Sequence, residues 1–349
     1  MKDIKVGDKV IGNDQPIFII AEVGINHNGK IREAKKMIDV AKKCGVDAVK
    51  FQAFTPEEFI ADETKAYTYK SQGKEVTESM YEMFKRVELS KTDFKELSQY
   101  CKKKDIIFFA TPQNVSNAEM LLDIGVPLIK TGSDDLVNLP LIKRYASYGL
   151  PFIISTGMAD LGEIEEAVNT VHTVGNDKLI LLHCVSSYPA QAEELNLRKM
   201  KTIKQAFQTI VGFSDHTKGT TAAIAAVALG AKVIEKHFTL NNDLPGPDHW
   251  FSINPDGLKR LVQGIRFAEK SLGSPIVCPT TKEREMRKIA RRSIVAAKDV
   301  ESGEKISYDN IEYKRPGTGL YPKFTDFVIG KKIKQEIKKG ELITLEKIK

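Results

Sequence analysis

Residues 18–51 read FIIAEVGINHNGKIREAKKMIDVAKKCGVDAVKF, and this stretch decides the fold. An apolar run, Phe18–Val23, leads into a turn rich in Gly and Asn. Next comes Ile31–Cys44, whose apolar residues recur at three and four, and then a second apolar run, Ala48–Phe51. A near-continuous apolar run fits a strand buried on both faces. Three-and-four spacing fits a helix with one buried face. Strand, helix, strand in this order is the parallel crossover unit.

The unit repeats down the chain. Further apolar runs lie at Ile106–Ala110, Pro127–Lys130, Pro151–Ser155, Leu179–Cys184, Ile210–Phe213 and Ala231–Lys236, which makes eight strand candidates with the first two. Helix candidates fall between them, among others at Lys91–Lys103, Ser116–Ile124, Gly162–Val174 and Thr220–Leu229. Eight such units predict an α/β fold closed as a (β/α)8 TIM barrel over residues 17–272. The rival is a doubly wound open sheet, but no GxGxxG follows the first strand. Residues 1–16 read as an N-terminal hairpin arm under the barrel. Residues 273–285 carry prolines and read as a linker. Residues 286–349 alternate like strands around Ser-Gly and Lys-Gly turns and read as a small β-rich domain.

Composition narrows the function classes. With 42% hydrophobic and 28% charged residues, a packed core is expected. The charged opening residues contain no apolar signal segment, and the Ala-rich run from Thr220 to Ile234 is too short to span a bilayer. Four cysteines without paired spacing fit a reducing cytoplasm. Residues 282–349 hold 18 basic and 11 acidic side chains and so account for the whole net charge of +7. Those bases alternate with acids and have no aromatic partners, so neither nucleic acid nor membrane is the expected partner.

In a parallel barrel, catalytic groups gather where the strands end. Here the eight ends carry Glu22 with His27, then Lys50 with Gln52, Thr111, Lys130 with Ser133, Asp134 and Asp135, Ser155, His183 with Ser186 and Tyr188, Ser214 with Asp215 and His216, and Lys236 with His237, followed by Asp248. Lys50 and Lys130 put two cations over one mouth, with Thr111, Ser133, Ser155 and Ser214 as small donors. That set suits a small anion carrying phosphate, carboxylate or both. His216 and His237 end neighbouring strands and can share a divalent cation, with Asp215 as a supporting group or third ligand. Glu22 and Asp135 are the candidate carboxylates for proton transfer. Each of these residues also has a plain structural explanation: a snorkelling lysine, a bonded core histidine, or a carboxylate merely paired with a lysine.

The motifs IIAEVGINHNG, DAVKFQ, LIKTGSDD, ISTGM, LLHCVSSYP, VGFSDHT, IEKHFT and LPGPDH, with KRPGTGL near the end, resemble those of the sialic acid synthases, including the legionaminate and pseudaminate relatives. The resemblance implies a barrel joined to a C-terminal antifreeze-like SAF domain. It also implies a domain-swapped homodimer that condenses phosphoenolpyruvate with N-acetylmannosamine or a related sugar. The family's metal ligands match His216 and His237, with manganese, magnesium or cobalt as the ion. Its phosphoenolpyruvate contacts match Lys50, Thr111, Lys130, Ser133, Ser155 and Ser214. Its sugar contacts match Gln52, Tyr188, Asp248 and Arg315, the last acting from the partner subunit. Asp134-Asp135 stands where many members have Gly-Glu, and Ser186 stands where some have Asn or Thr.

The expected product is N-acetylneuraminate. The alternative is a legionaminate or pseudaminate synthase that takes a 2,4-diacetamido-6-deoxy hexose. A seven- or eight-carbon 2-keto acid synthase would not need the PGPD motif or the small domain. A non-catalytic binding protein would release no phosphate when given both substrates.

Overall fold

The computed structural model describes residues 2–349, which divide into two compact units, Met1–Gly273 and Ser274–Lys349. In the first unit eight strands lie parallel: β1 Phe18–Gly24, β2 Ala48–Ala53, β3 Ile107–Pro112, β4 Ile129–Thr131, β5 Phe152–Ser155, β6 Leu179–Cys184, β7 Ile210–Asp215 and β8 Val233–His237. Their order around the sheet is β3-β2-β1-β8-β7-β6-β5-β4, and β3 lies beside β4, so the sheet curls into a near-closed barrel. Every residue of these strands is buried except Gln52, which is partly exposed.

The helices obey their sequence pattern. α1, Ile31–Cys44, buries Ala34, Met37, Ile38 and Ala41 at the predicted spacing. α2, Lys91–Lys103, starts with a reciprocal cap between Ser90 and Asp93, and buries Phe94, Leu97 and Cys101. Further helices connect the later strands, and Pro255–Leu272 follows the last of them. Below the barrel, Ile4–Val6 pairs with Lys9–Ile11 as an antiparallel hairpin.

Two glycines show why the strands fit. A Cβ on Gly212 of β7 would lie 2.5 Å from both Leu182 Cδ2 and the Val233 carbonyl oxygen, so only glycine lets β7 pass between its neighbours. Gly24, at φ +53°, closes a register shift between β1 and β2 that begins at Glu22.

One expectation changes here. Residues 273–285 are not linker throughout, because Thr281–Ala290 is helical and is capped reciprocally by Thr280 and Glu283. Between β2 and α2, residues 66–79 form an antiparallel hairpin. It rests on the PGPD turn: Gln72 Nε2 donates to Asp243 O at 3.0 Å, and Gly246 N donates to Ser71 Oγ at 3.1 Å.

The second unit pairs Ser293–Ala296 with Ile311–Lys314 and adds isolated antiparallel bridges such as Val300–Ile337 and Ile333–Ile348. Its core is built from Ile294, Val300, Ile306, Val328, Ile337 and Ile343, with others.

One strand-end histidine proves structural. His27 is buried against Phe51; its Nδ1 accepts from Gly29 N at 3.0 Å, and Nε2 has no partner. Burial pushes its pKa down to about 4 from an unfolded 6.5. The folded state therefore holds His27 neutral, and its contribution is complete above pH 6.5 and lost as pH falls toward 4. At 1.36 kcal/mol per pKa unit the loss is on the order of 3 kcal/mol. Urea melts at about pH 7.5 and about pH 4.5 should show that difference shrink in His27→Phe; an identical difference would assign the acid lability elsewhere.

Candidate active site at the barrel mouth

The strand period of two decides which residues meet. On β8, Glu235 and His237 point to one face and Lys236 to the other. On β7, Ser214 shares the inner face with Glu235, and Asp215 shares the outer face with Lys236. The contacts bear this out: Ser214 Oγ donates to Glu235 Oε1 at 3.1 Å, whereas Lys236 Nζ pairs with Asp215 Oδ2 at 2.7 Å. Asp215 is therefore not a third metal ligand, and Lys236 does not face the mouth.

Inside the mouth, charges alternate. Lys50 Nζ lies 3.0 Å from Glu22 Oε2 and 3.7 Å from Glu235 Oε2. Lys130 Nζ lies 4.0 Å from Glu235 Oε1. Lys50 also donates to Thr111 Oγ1 at 2.9 Å, and Lys130 to Ser155 Oγ at 2.7 Å and to Thr131 O at 2.9 Å. All four charged groups are buried. Burial raises Glu22 to about 7, more than Lys50 can offset. For Lys50, burial acts downward, but Glu22 and Glu235 outweigh it and hold the ammonium above its usual range. Burial lowers Lys130 despite Glu235. Two buried ammonium groups with small hydroxyl donors beside them form a cradle for a compact multivalent anion.

The two imidazoles close the other side of the mouth. His216 and His237 have ring centroids 5.5 Å apart, and the Tyr188 ring lies tilted against His216 at 4.2 Å. His216 Nδ1 lies 2.8 Å from Val185 O; burial acts to lower this ring's pKa, but the adjoining Cys184 outweighs it and raises it. His237 Nδ1 is buried without a hydrogen-bond partner, 3.6 Å from Asp248 Oδ2. Burial, His216 and Lys50 hold His237 well below its usual pKa, so it is neutral. The unbonded Nδ1 of His237 and the neighbouring imidazole of His216, beside the Asp248 carboxylate, suit a divalent ion that keeps open positions. Among the described residues no cluster of three or more His, Cys, Asp or Glu side chains offers a complete protein cage. Burial raises Asp248 to about 6.

Of the remaining predicted site residues, Gln52 joins this group, with Nε2 3.5 Å from Glu22 Oε1. Ser133 Oγ accepts from Gly157 N at 3.0 Å. Asp135 does not join: its Oδ1 accepts from Asn138 Nδ2 at 3.0 Å, in the turn before the helix Leu139–Ala146. Asp134 is the carboxylate of that pair whose charge reaches Lys50. Arg315 lies in the second unit, exposed just past Ile311–Lys314. Two residues were not anticipated. Glu235 was legible, because it lies two residues before His237 on the same strand face. Phe251, packed 5.3 Å from His237 and 5.2 Å from Tyr188, had no signal beyond following the PGPD turn.

The NeuB family model matches residues 37–277 and a SAF domain model matches residues 291–349. An N,N'-diacetyllegionaminic acid synthase of Legionella pneumophila is 40% identical over 98% of this chain and 97% of that protein. A pseudaminic acid synthase of Helicobacter pylori is 34% identical over 96% and 98%. The crystal structure of an N-acetylneuraminic acid synthetase from Leptospira borgpetersenii, in complex with citrate, superposes with a TM-score of 0.74. That pair is 38% identical, covering 82% of this chain and 95% of the other. No described helix is long and apolar enough to cross a membrane. From barrel to C-terminal SAF domain, the chain belongs to the NeuB family of sialic and nonulosonic acid synthases.

Proposed function

We propose that this protein condenses phosphoenolpyruvate with a 2,4-diacetamido-6-deoxy hexose to give an N,N'-diacetyllegionaminate-type nine-carbon acid and phosphate. The observation that carries the condensation is the buried pair Lys50 and Lys130 facing the two imidazoles across one mouth. The sugar class rests on the 40% identity to the legionaminic acid synthase. N-Acetylmannosamine, giving N-acetylneuraminate, is the second reading; the Leptospira structure favours it.

Lys50 and Lys130 bind the phosphate and carboxylate of phosphoenolpyruvate, already oriented by Thr111 and Ser155. Gln52, Tyr188 and Asp248 hold the open-chain sugar. His216 and His237 hold a divalent cation, manganese before magnesium or cobalt, which when bound supplies Lewis-acid polarisation of the sugar aldehyde. The phosphoenolpyruvate methylene carbon bonds to the aldehyde carbon, and the aldehyde oxygen takes a proton from the Glu22 carboxyl group. Water adds to the former enol carbon and returns a proton to Glu22. The bond between that carbon and the bridging phosphate oxygen then breaks, and as the keto group forms the hydroxyl proton goes to the departing phosphate. Held to about 7, Glu22 can both give and take a proton near neutral pH.

The test is a panel of N-acetylmannosamine, its 6-phosphate and the diacetamido sugars, each with phosphoenolpyruvate and manganese, read by phosphate release and product mass. The diacetamido sugar is expected to give the highest kcat/KM. Preference for N-acetylmannosamine would transfer the conclusion to the second reading. Phosphate release independent of any sugar would end both.

A further inference from the structure

Asp215 and Lys236 each stand one residue before a site histidine, and strand pairing sets them opposite each other. They occupy the sheet face away from the mouth and are buried almost completely. Besides their 2.7 Å ion pair, both reach the backbone of Thr217. Asp215 Oδ1 accepts from Thr217 N at 2.9 Å, and Lys236 Nζ donates to Thr217 O at 2.7 Å. His216 lies beyond the last paired residue of β7, so no ladder bond fixes it. Its backbone is held instead on both sides: Ala190 N donates to His216 O at 3.1 Å, and the charge pair grips the residue that follows. On β8, the same lysine precedes His237, whose carbonyl accepts from Ile253 N at 2.8 Å.

A buried ion pair is a poor way to gain stability, because desolvation consumes much of the attraction and an apolar pair of equal volume often serves as well. Its two directional contacts with Thr217, however, fix position in a way that an apolar pair cannot. We propose that Asp215 and Lys236 form a clamp behind the sheet that sets the separation and ring direction of His216 and His237, making both positioning residues for a bound divalent cation. The inference rests on the metal role assigned to these histidines above.

The test reads binding of manganese alone, by electron paramagnetic resonance of the free ion, with melting temperature measured in parallel. The double substitution Asp215→Leu with Lys236→Met removes the clamp without leaving a buried charge unpaired. It is expected to fold with a melting temperature close to that of the original protein and to bind manganese about 10- to 100-fold more weakly, the usual effect of losing groups behind metal ligands. A folded double variant with undiminished affinity overturns the clamp. If that variant does not fold, Asp215→Asn alone carries the test, with the same weakening expected and the same contrary result. His237→Ala run alongside separates the two claims. Undiminished manganese binding in His237→Ala defeats the metal reading, and the clamp with it. Loss in His237→Ala with full binding in the clamp variant defeats only the clamp.

Discussion

Replacing Lys50 with Met is expected to remove turnover and stability together, and adding Glu22→Gln should restore only the stability. Lys50 is the counter-ion of two buried carboxylates, at 3.0 and 3.7 Å. Taking away one partner of a buried pair costs about 3–5 kcal/mol, because the remaining charge is left without water or partner. Glu22 can blunt that loss by taking up a proton. Its folded pKa, about 7, is already above the unfolded 4.5. Without the ammonium it rises further, so the destabilisation is small in acid and grows as pH rises through the folded pKa. A glutamine in place of Glu22 has no charge to bury, and the double variant should melt near the original protein. Turnover should not return, since losing one electrostatic donor from a preorganised site lowers the rate by about 10²- to 10³-fold. Denaturant melts at several pH values and phosphate-release assays check both halves. Normal phosphoenolpyruvate saturation in Lys50→Met would sink the anion assignment.

The second large effect is at His237. His237→Ala should lower sugar-dependent phosphate release by several kcal/mol of transition-state stabilisation, on the order of 10³-fold, even with saturating manganese. The His237 Nδ1 atom makes no hydrogen bond, so no bonded partner is orphaned by the change. Lys50 and Lys130 lie on other strands and keep their contacts, so phosphoenolpyruvate binding should change little. A large loss of turnover with near-normal phosphoenolpyruvate affinity, measured by calorimetry, is the expected split. Undiminished turnover would remove the metal role. An equal collapse of anion binding would mean that His237 supports the mouth as a whole.

Much of this architecture was legible in order along the chain. Eight apolar runs separated by helical spacing led to eight parallel strands, with boundaries displaced by a few residues, because the burial that shapes strands also selects their residues. Helix ends were legible where a cap exists, as at Ser90 and Asp93. The linker was misread because composition spoke for a segment whose structure depends on a helix cap. Prolines in 273–285 hid the cap that starts Thr281–Ala290. The hairpin at 66–79 alternates weakly and is largely exposed on both faces, so no buried face marked its period.

What the sequence determined alone was the class of fold and the roster of polar groups at its strand ends, since both follow from local periodicity and from the rule that a parallel barrel presents its strand ends on one side. What only the tertiary structure decided was which of two adjacent side chains looks inward. Glu235 rather than Lys236 enters the charge cluster, Ser214 rather than Asp215 lines it, and Asp135 turns away to Asn138. Successive side chains on a strand point to opposite faces, so a shift of one residue exchanges the mouth for the space behind the sheet. Apolar residues reveal that phase by being buried. Here both faces are buried and both carry charge, so only the register between neighbouring strands could fix it.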